Sequence, residues 1–330
     1  MGKRKKWKKP LVILSIVLLA AYVAACNILV NVALVPETME RLQAFEDLTE
    51  EGMEALVWTD GILENQAESR DETKEWLEEA DSELLTVTTE DGYRLVGQVF
   101  YQPETAGHKW VLLLHGYTGW KEEMYPIACR YAKEGYQILV PDMRCSGESE
   151  GDFIGMGWID RLDNLLWLEW ILTEDPEAEI AIHGQSMGAA CALMMSGVEE
   201  LPEAVRAIVA DSAYTDAYEM FAKQMKEWAN LPAFPLLPGA SFMLKLRGGY
   251  SLKEASALRA VEQTSIPLLF IHGTEDVFVP PEMTKELYGA ASGEKELLMV
   301  EGAGHVQVQD KEPELYYGKV FSFLEAHGFR

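Results

Sequence analysis

The sequence predicts an α/β fold: a mainly parallel eight-stranded sheet with helices on both faces and a helical cap, set behind one N-terminal transmembrane helix. Three observations carry this expectation. A 25-residue apolar run, Leu11 to Val35, follows a basic block at the start of the chain. From residue 84 onward, short apolar runs alternate with amphipathic stretches, the pattern of strand–helix crossover units. One long stretch, Ala213 to Thr264, breaks that alternation yet stays rich in large apolar side chains.

The apolar run lies between Pro10 and Pro36 and contains no charge. As a helix rising 1.5 Å per residue it reaches roughly 37 Å, enough to cross a hydrocarbon core of ~30 Å with some tilt. Residues 1–10 form the basic segment, with Lys3, Arg4, Lys5, Lys6, Lys8 and Lys9. Such a block stays on the cytoplasmic side, so the reading is a single-pass signal-anchor over 11–35 with the rest of the chain outside the cell membrane. Two other readings compete. A cleaved signal peptide has an apolar region of only about 7–15 residues. Val23-Ala24-Ala25-Cys26 resembles a lipobox, which would make Cys26 an acylated residue and the protein a lipoprotein.

Residues 36–83 are acidic and helical in pattern, with Trp58, Leu63, Trp76 and Leu77 as apolar points; they read as a stalk or as helices packed on the domain. The domain proper runs from 84 to 330. Glu83–Thr89 and Tyr93–Tyr101 flank Asp91-Gly92, a hairpin signal. Strands follow at Trp110–His115, Tyr136–Pro141, Ile180–His183, Ala207–Asp211, Pro267–His272 and Glu296–Val300. Between them lie helical stretches at Tyr125–Glu134, Ile159–Leu172, Met187–Val198, Pro281–Ala290 and Glu314–Phe329. Continuous apolar strands such as Val111-Leu112-Leu113-Leu114 suit a sheet covered on both faces. Residues 213–264 hold Met220, Phe221, Met225, Trp228, Phe234, Phe242 and Met243 and read as the cap. Those side chains either line an apolar acyl pocket or pack the cap internally.

Charge and cysteines exclude several classes. There are 54 acidic residues against 28 basic ones, and six of the basic ones fall within residues 1–9. The remainder is strongly negative and repels phosphate backbones, so nucleic acid is not an expected partner. Cys26, Cys129, Cys145 and Cys191 have no metal-ligand spacing and read as free thiols.

The chemistry centres on Gly184-Gln185-Ser186-Met187-Gly188. A strand precedes it and a helix follows it, which is the setting of a nucleophile elbow. The turn strains the serine backbone, flanking glycines make room, and the helix N-terminus favours nearby negative charge. A serine hydroxyl needs a base. His115, His183 and His272 each end an apolar strand and read as structural, while His108 lies in a loop and His327 near the C-terminus. His305, in Gly302-Ala303-Gly304-His305 after the last strand, sits on a loop able to carry an imidazole over the strand ends. It is the expected general base. Asp276, after the penultimate strand, fits the acid that orients it, with Glu275 and Asp211 as competitors. Backbone N–H groups of Met187 and Tyr117 are the expected oxyanion donors.

Taken in order, His115-Gly116, the Asp142-Met143-Arg144-Cys145-Ser146-Gly147-Glu148-Ser149 loop, the serine elbow, His272-Gly273-Thr274-Glu275-Asp276 and Gly304-His305 resemble the α/β-hydrolase superfamily. The likeness covers roughly residues 84–329. Within it the chain looks most like bacterial membrane-anchored esterase-like members related to the serine aminopeptidase and cinnamoyl-esterase branches. The Asp142–Ser149 loop resembles the family's D-x-R-x-x-G-x-S stretch, which is mostly structural. The glycine-rich oxyanion loop of triglyceride lipases is replaced by His-Gly-Tyr-Thr-Gly. The expected activity is hydrolysis of a small-molecule carboxylic ester through an acyl-enzyme, with no metal or cofactor required. A serine peptidase, amidase or thioesterase on the same residues is the enzymatic alternative. A non-catalytic surface-binding module on the same scaffold is the alternative of another class.

Overall fold

A computed structural model describes residues 8–38, 60–103 and 107–329. Its sheet has eight strands: β1 (Asp81–Thr88), β2 (Arg94–Tyr101), β3 (Lys109–Leu114), β4 (Gln137–Pro141), β5 (Glu179–Gln185), β6 (Val205–Asp211), β7 (Leu268–Gly273) and β8 (Lys295–Val300). Their order is β1-β2-β4-β3-β5-β6-β7-β8. β1 pairs antiparallel with β2, and β2 with β4. The other neighbours are parallel. The hairpin signal and the run of crossover strands thus appear as expected. Each crossover needs a helix to return the chain to the same end of the sheet. β3 shows why the apolar runs are continuous: Val111, Leu112, Leu113 and Leu114 are all fully buried, because helices cover both faces.

Two cores result. On one face lie α4 (Asp160–Glu174) and α5 (Met187–Met195), which bury Trp167, Leu168, Ile171 and the whole of α5. On the other lie α3 (Tyr125–Lys133) and, after α9 (Pro281–Ala290) and α10 (Val308–Lys311), α11 (Pro313–Ala326), with Tyr131, Tyr316 and Phe323. Trp167 explains a glycine in the middle of β2. A Cβ on Gly97 would stand 3.1 Å from the indole ring, so a side chain there would crowd the ring.

Of the acidic segment, α2 (Asp60–Glu79) lies within the described residues; residues 39–59, including Trp58, lie outside them. α2 is laid against the domain. Glu72 pairs with Arg130 at 3.2 Å and with Lys133, and Gln66 donates to Asp310 at 2.8 Å. Trp76 packs on Phe100 with ring centroids 4.7 Å apart.

The cap fills the connection between β6 and β7. It holds α6 (Ala217–Ala229), α7 (Leu236–Gly248) and α8 (Ala257–Val261). Asp216 caps α6 by accepting from the Glu219 N–H at 2.8 Å. α7 ends on Gly249 at φ 79°, where the left-handed backbone needs no Cβ. Met220 is buried, whereas Phe234 and Phe242 are 77% and 61% exposed. The apolar richness of the cap therefore has two destinations, one inward and one outward.

The N-terminal apolar run forms α1 (Lys8–Leu34), whose stretch Pro10–Leu34 is long and apolar enough to cross a membrane. It also touches the domain. Tyr22, Cys26, Val30 and Leu34 recur every fourth residue, so they share one helix face. Cys26, Val30 and Leu34 are buried in the first core. The Leu34 carbonyl accepts from the Ile154 N–H at 2.9 Å, and Tyr22 donates to the Pro235 carbonyl at 2.7 Å. Cys26, Cys129 and Cys191 are buried free thiols, and Cys145 is half-buried.

Replacing Trp167 by alanine opens a cavity between sheet and α4 and should cost about 3–5 kcal/mol of folding free energy. Urea unfolding of the detergent-solubilised full chain reads this directly, as a lower midpoint at unchanged slope.

Candidate active site

The crossover topology delivers every loop that follows a parallel strand to the same edge of the sheet. β5 delivers Ser186, the loop after β7 delivers Asp276, and the loop after β8 delivers His305. Ser186 takes φ 54°, ψ −113°, a backbone conformation that side chains other than glycine rarely adopt. The turn is held by close packing on both sides. A Cβ on Gly184 would fall 2.2 Å from the Gly188 carbonyl oxygen, and one on Gly188 would fall 2.1 Å from that of Leu114. The Ser186 N–H donates to the Asp211 carbonyl at 2.8 Å, tying the turn to β6.

Three side chains then meet in line. His305 Nε2 stands 2.9 Å from Ser186 Oγ, and His305 Nδ1 stands 2.6 Å from Asp276 Oδ2. Ser186 and Asp276 are buried, and the His305 side chain is 16% exposed. With its Nδ1 proton directed at Asp276, the imidazole presents the Nε2 lone pair to the serine hydroxyl. The Phe278 ring lies against the imidazole, centroids 5.0 Å apart.

Asp276 is held by more than His305. Its Oδ1 accepts from the N–H groups of Phe278 and Val279, both at 2.8 Å. His272 Nε2 lies 3.0 Å from its Oδ2. Burial by itself would raise this carboxyl, but the hydrogen bonds from His272 and His305 outweigh it and hold the pKa at about 2. The carboxyl is therefore an anion at neutral pH. His272 is fixed in turn: its Nδ1 lies 2.6 Å from Thr284 Oγ1.

The competitors lie elsewhere. Glu275 is exposed, and its N–H donates to the Ala303 carbonyl at 2.9 Å. Asp211 is wholly buried in a separate network with Ser212 Oγ at 2.9 Å, Tyr316 Oη at 3.1 Å and Gln185 Nε2 at 3.2 Å. Burial pushes its carboxyl up against those hydrogen bonds. The network runs on from Tyr316 to His183 Nε2 and from His183 Nδ1 to Tyr131, each at 3.0 Å. Burial lowers His183 to about 3, which keeps it neutral, with one nitrogen donating and the other accepting. Ser212 Oγ also accepts from the Val306 N–H at 3.3 Å, so this network braces the loop that carries His305. His183 is thus structural, with partners 52 and 133 residues away that its sequence neighbours do not reveal.

Of the two expected oxyanion donors, one is the residue next to the nucleophile and the other follows a glycine that lies against it. Met187 follows Ser186 and opens α5, while Gly116, directly before Tyr117, offers a Cβ position 3.6 Å from Ser186 Cβ. The Tyr117 phenol donates to the Ala33 carbonyl near the end of α1. Burial pushes that phenol well above its ordinary pKa, which keeps it a neutral donor. The Asp142–Ser149 loop is structural. Asp142 accepts from the Lys121 and Glu148 N–H groups at 2.7 and 2.9 Å, and Arg144 grips Asp163 and Asp91. A Cβ on Gly147, at φ 51°, would fall 2.4 Å from the Asp142 carboxylate. Among the described residues no group of histidine, cysteine, aspartate and glutamate side chains is arranged to hold a metal ion.

A family model described as the α/β hydrolase fold matches residues 109–244. The uncharacterised protein YqkD of Bacillus subtilis strain 168 is 28% identical over 266 residues, covering 80% of this chain and 86% of that one. The thermostable monoacylglycerol lipase of Bacillus sp. strain H-257 is 23% identical over 243 residues, covering 66% and 90%. Among solved structures, the esterase Pf2001 of Pyrococcus furiosus superposes with a TM-score of 0.61 at 26% identity, covering 82% of this chain and 96% of that one.

Gly188→Ala should drive a methyl group into the Leu114 carbonyl and force the turn apart. The expected result is a destabilised protein in which Ser186 no longer reacts with an active-site-directed fluorophosphonate. Unimpaired labelling at unchanged thermal stability would show that the turn tolerates a side chain there.

Proposed function

We propose that this chain, an α/β hydrolase by its family match and its fold, is a serine hydrolase that cleaves carboxylic esters of small acyl or aryl type. The observation that carries the reading is the continuous relay from Ser186 to His305 to Asp276, at 2.9 and 2.6 Å, at the ends of three parallel strands. Ser186 Oγ attacks the acyl carbon as His305 Nε2 takes its proton. The Asp276 anion stabilises the imidazolium and holds its orientation. Backbone N–H groups of Tyr117 and Met187 receive the negative charge that develops on the carbonyl oxygen. His305 passes its proton to the leaving alcohol. It then takes one from the water that attacks the acyl-enzyme, and returns it to Ser186 Oγ as the acid leaves.

The likeness to an esterase and to a monoacylglycerol lipase is consistent with ester substrates, and a peptidase or amidase acting through the same residues is the alternative. On the same reading α1 anchors the enzyme, with the basic residues 1–10 on the cytoplasmic side and the catalytic domain outside.

Hydrolysis of a short p-nitrophenyl ester by the purified full chain tests the proposal. Ser186→Ala should lower kcat by about 10⁵–10⁶-fold, and Asp276→Asn by about 10⁴-fold with little change in KM, as for other triads. Aminoacyl anilides should turn over more slowly than the esters. Turnover that survives in Ser186→Ala would remove this serine from the mechanism.

A further inference from the structure

The length of α1 raises a problem that the cap resolves. A span needs about 20 apolar residues to cross ~30 Å. Only Pro10–Ala21, about twelve residues or ~18 Å, stands clear of the domain. From Tyr22 onward one face of the helix is covered by protein. Tyr22 and Cys26 meet the start of α7: a Cβ on Gly239 would fall 2.3 Å from the Tyr22 hydroxyl and 2.5 Å from Cys26 Sγ. Further along, Arg247 near the end of α7 donates to Asn27 Oδ1 at 3.0 Å. If α1 is to span, the stretch Tyr22–Cys26 must also lie within the hydrocarbon, and the part of the cap beside it must lie there too.

The cap has the chemistry for that position. No charged side chain occurs from Leu231 to Leu244, in a chain in which 25% of residues are charged. Its outward side shows Leu231, Phe234, Phe242 and Leu246 at 42, 77, 61 and 64% exposure. Large contiguous apolar surfaces are rare on soluble monomers and mark contacts with a partner or a membrane. The helix that carries Phe242 and Leu246 packs on α1 through Gly239, and on α1 Val23 and Ile28 are 38% and 60% exposed. Charge returns only at Lys245 and Arg247, at the end of α7 that faces Asn27. Basic side chains at that level suit the head-group boundary.

We infer that the cap tip, Leu231–Leu244, is buried in the acyl region of the outer leaflet beside the anchor helix. This rests on the reading that α1 crosses the membrane. The catalytic domain then sits on the bilayer rather than on a tether. The link from Ala33 to Tyr117, next to Gly116 and Ser186, places the nucleophile close above the lipid surface. Acyl esters dissolved in the leaflet become the substrates with the shortest path to it.

Photo-crosslinking of the full chain in native membranes separates the claims. Val17, Phe234, Phe242 and Leu315 are replaced singly by p-benzoylphenylalanine. All four are exposed, and Leu315 lies on α11 over the opposite face of the sheet. After irradiation, phospholipid adducts are read by mass spectrometry. The inference expects adducts at 234 and 242 at yields comparable to 17, and none at 315. Adducts at 17 without adducts at 234 and 242 would overturn the cap placement and leave the anchor standing. Absence of lipid at 17 would overturn both. Crosslinks from 234 or 242 to a second copy of the chain would assign the surface to a dimer instead. Equal lipid yield at 315 would also overturn it.

Discussion

Between the end of β5 and the first turn of α5 the chain has almost no freedom. Ser186 sits at φ 54° because β5 and α5 approach too closely for any wider turn, and the glycines at 184 and 188 touch backbone rather than side chains. A backbone held in such a region costs about 1–3 kcal/mol and persists only where its surroundings over-determine it. Here they do. β5 lies in the middle of the sheet between β3 and β6, and every residue of α5 is buried. The strain is what lifts the serine side chain above the sheet edge, where the loops after β7 and β8 can reach it.

Those two loops are rigid for different reasons. Asp276 has its oxygens filled by two backbone N–H groups and two imidazoles. An anion satisfied in this way keeps its charge despite burial. The His305 loop is braced from behind by the Asp211–Ser212 network, which also includes the strand residue His183 and two tyrosines from the opposite core. Partly satisfied buried polar groups are destabilising, whereas complete networks fix geometry. The site thus rests on polar order below the sheet edge as well as on packing.

Much of this was legible in the sequence. Continuous apolar strands and the broken alternation after Asp211 marked the sheet and the cap, because burial on both faces leaves a distinct pattern in the residues. Ser186, Asp276 and His305 stood out because each follows a strand in a loop with glycine or proline beside it. What stayed hidden depends on contacts between distant segments. In sequence His272 is a strand-end residue, and its position against Asp276 follows from how the loop folds back. Phe234 and Phe242 fit a pocket or internal packing equally well in sequence, since hydropathy tells that a side chain avoids water and not what covers it. The same holds for α1. Its length and apolar content suit a membrane span, but the four-residue rhythm of Tyr22, Cys26, Val30 and Leu34 facing protein is masked when most neighbouring positions are apolar as well.

The central claim is that Ser186 is the nucleophile, activated through His305. The most direct measurement is to react the full chain with a fluorophosphonate, digest it and locate the phosphonyl group by tandem mass spectrometry. The expected result is a single stoichiometric adduct on Ser186, lost when His305 is replaced by alanine. An adduct on another residue, or undiminished modification of Ser186 in His305→Ala, would contradict it.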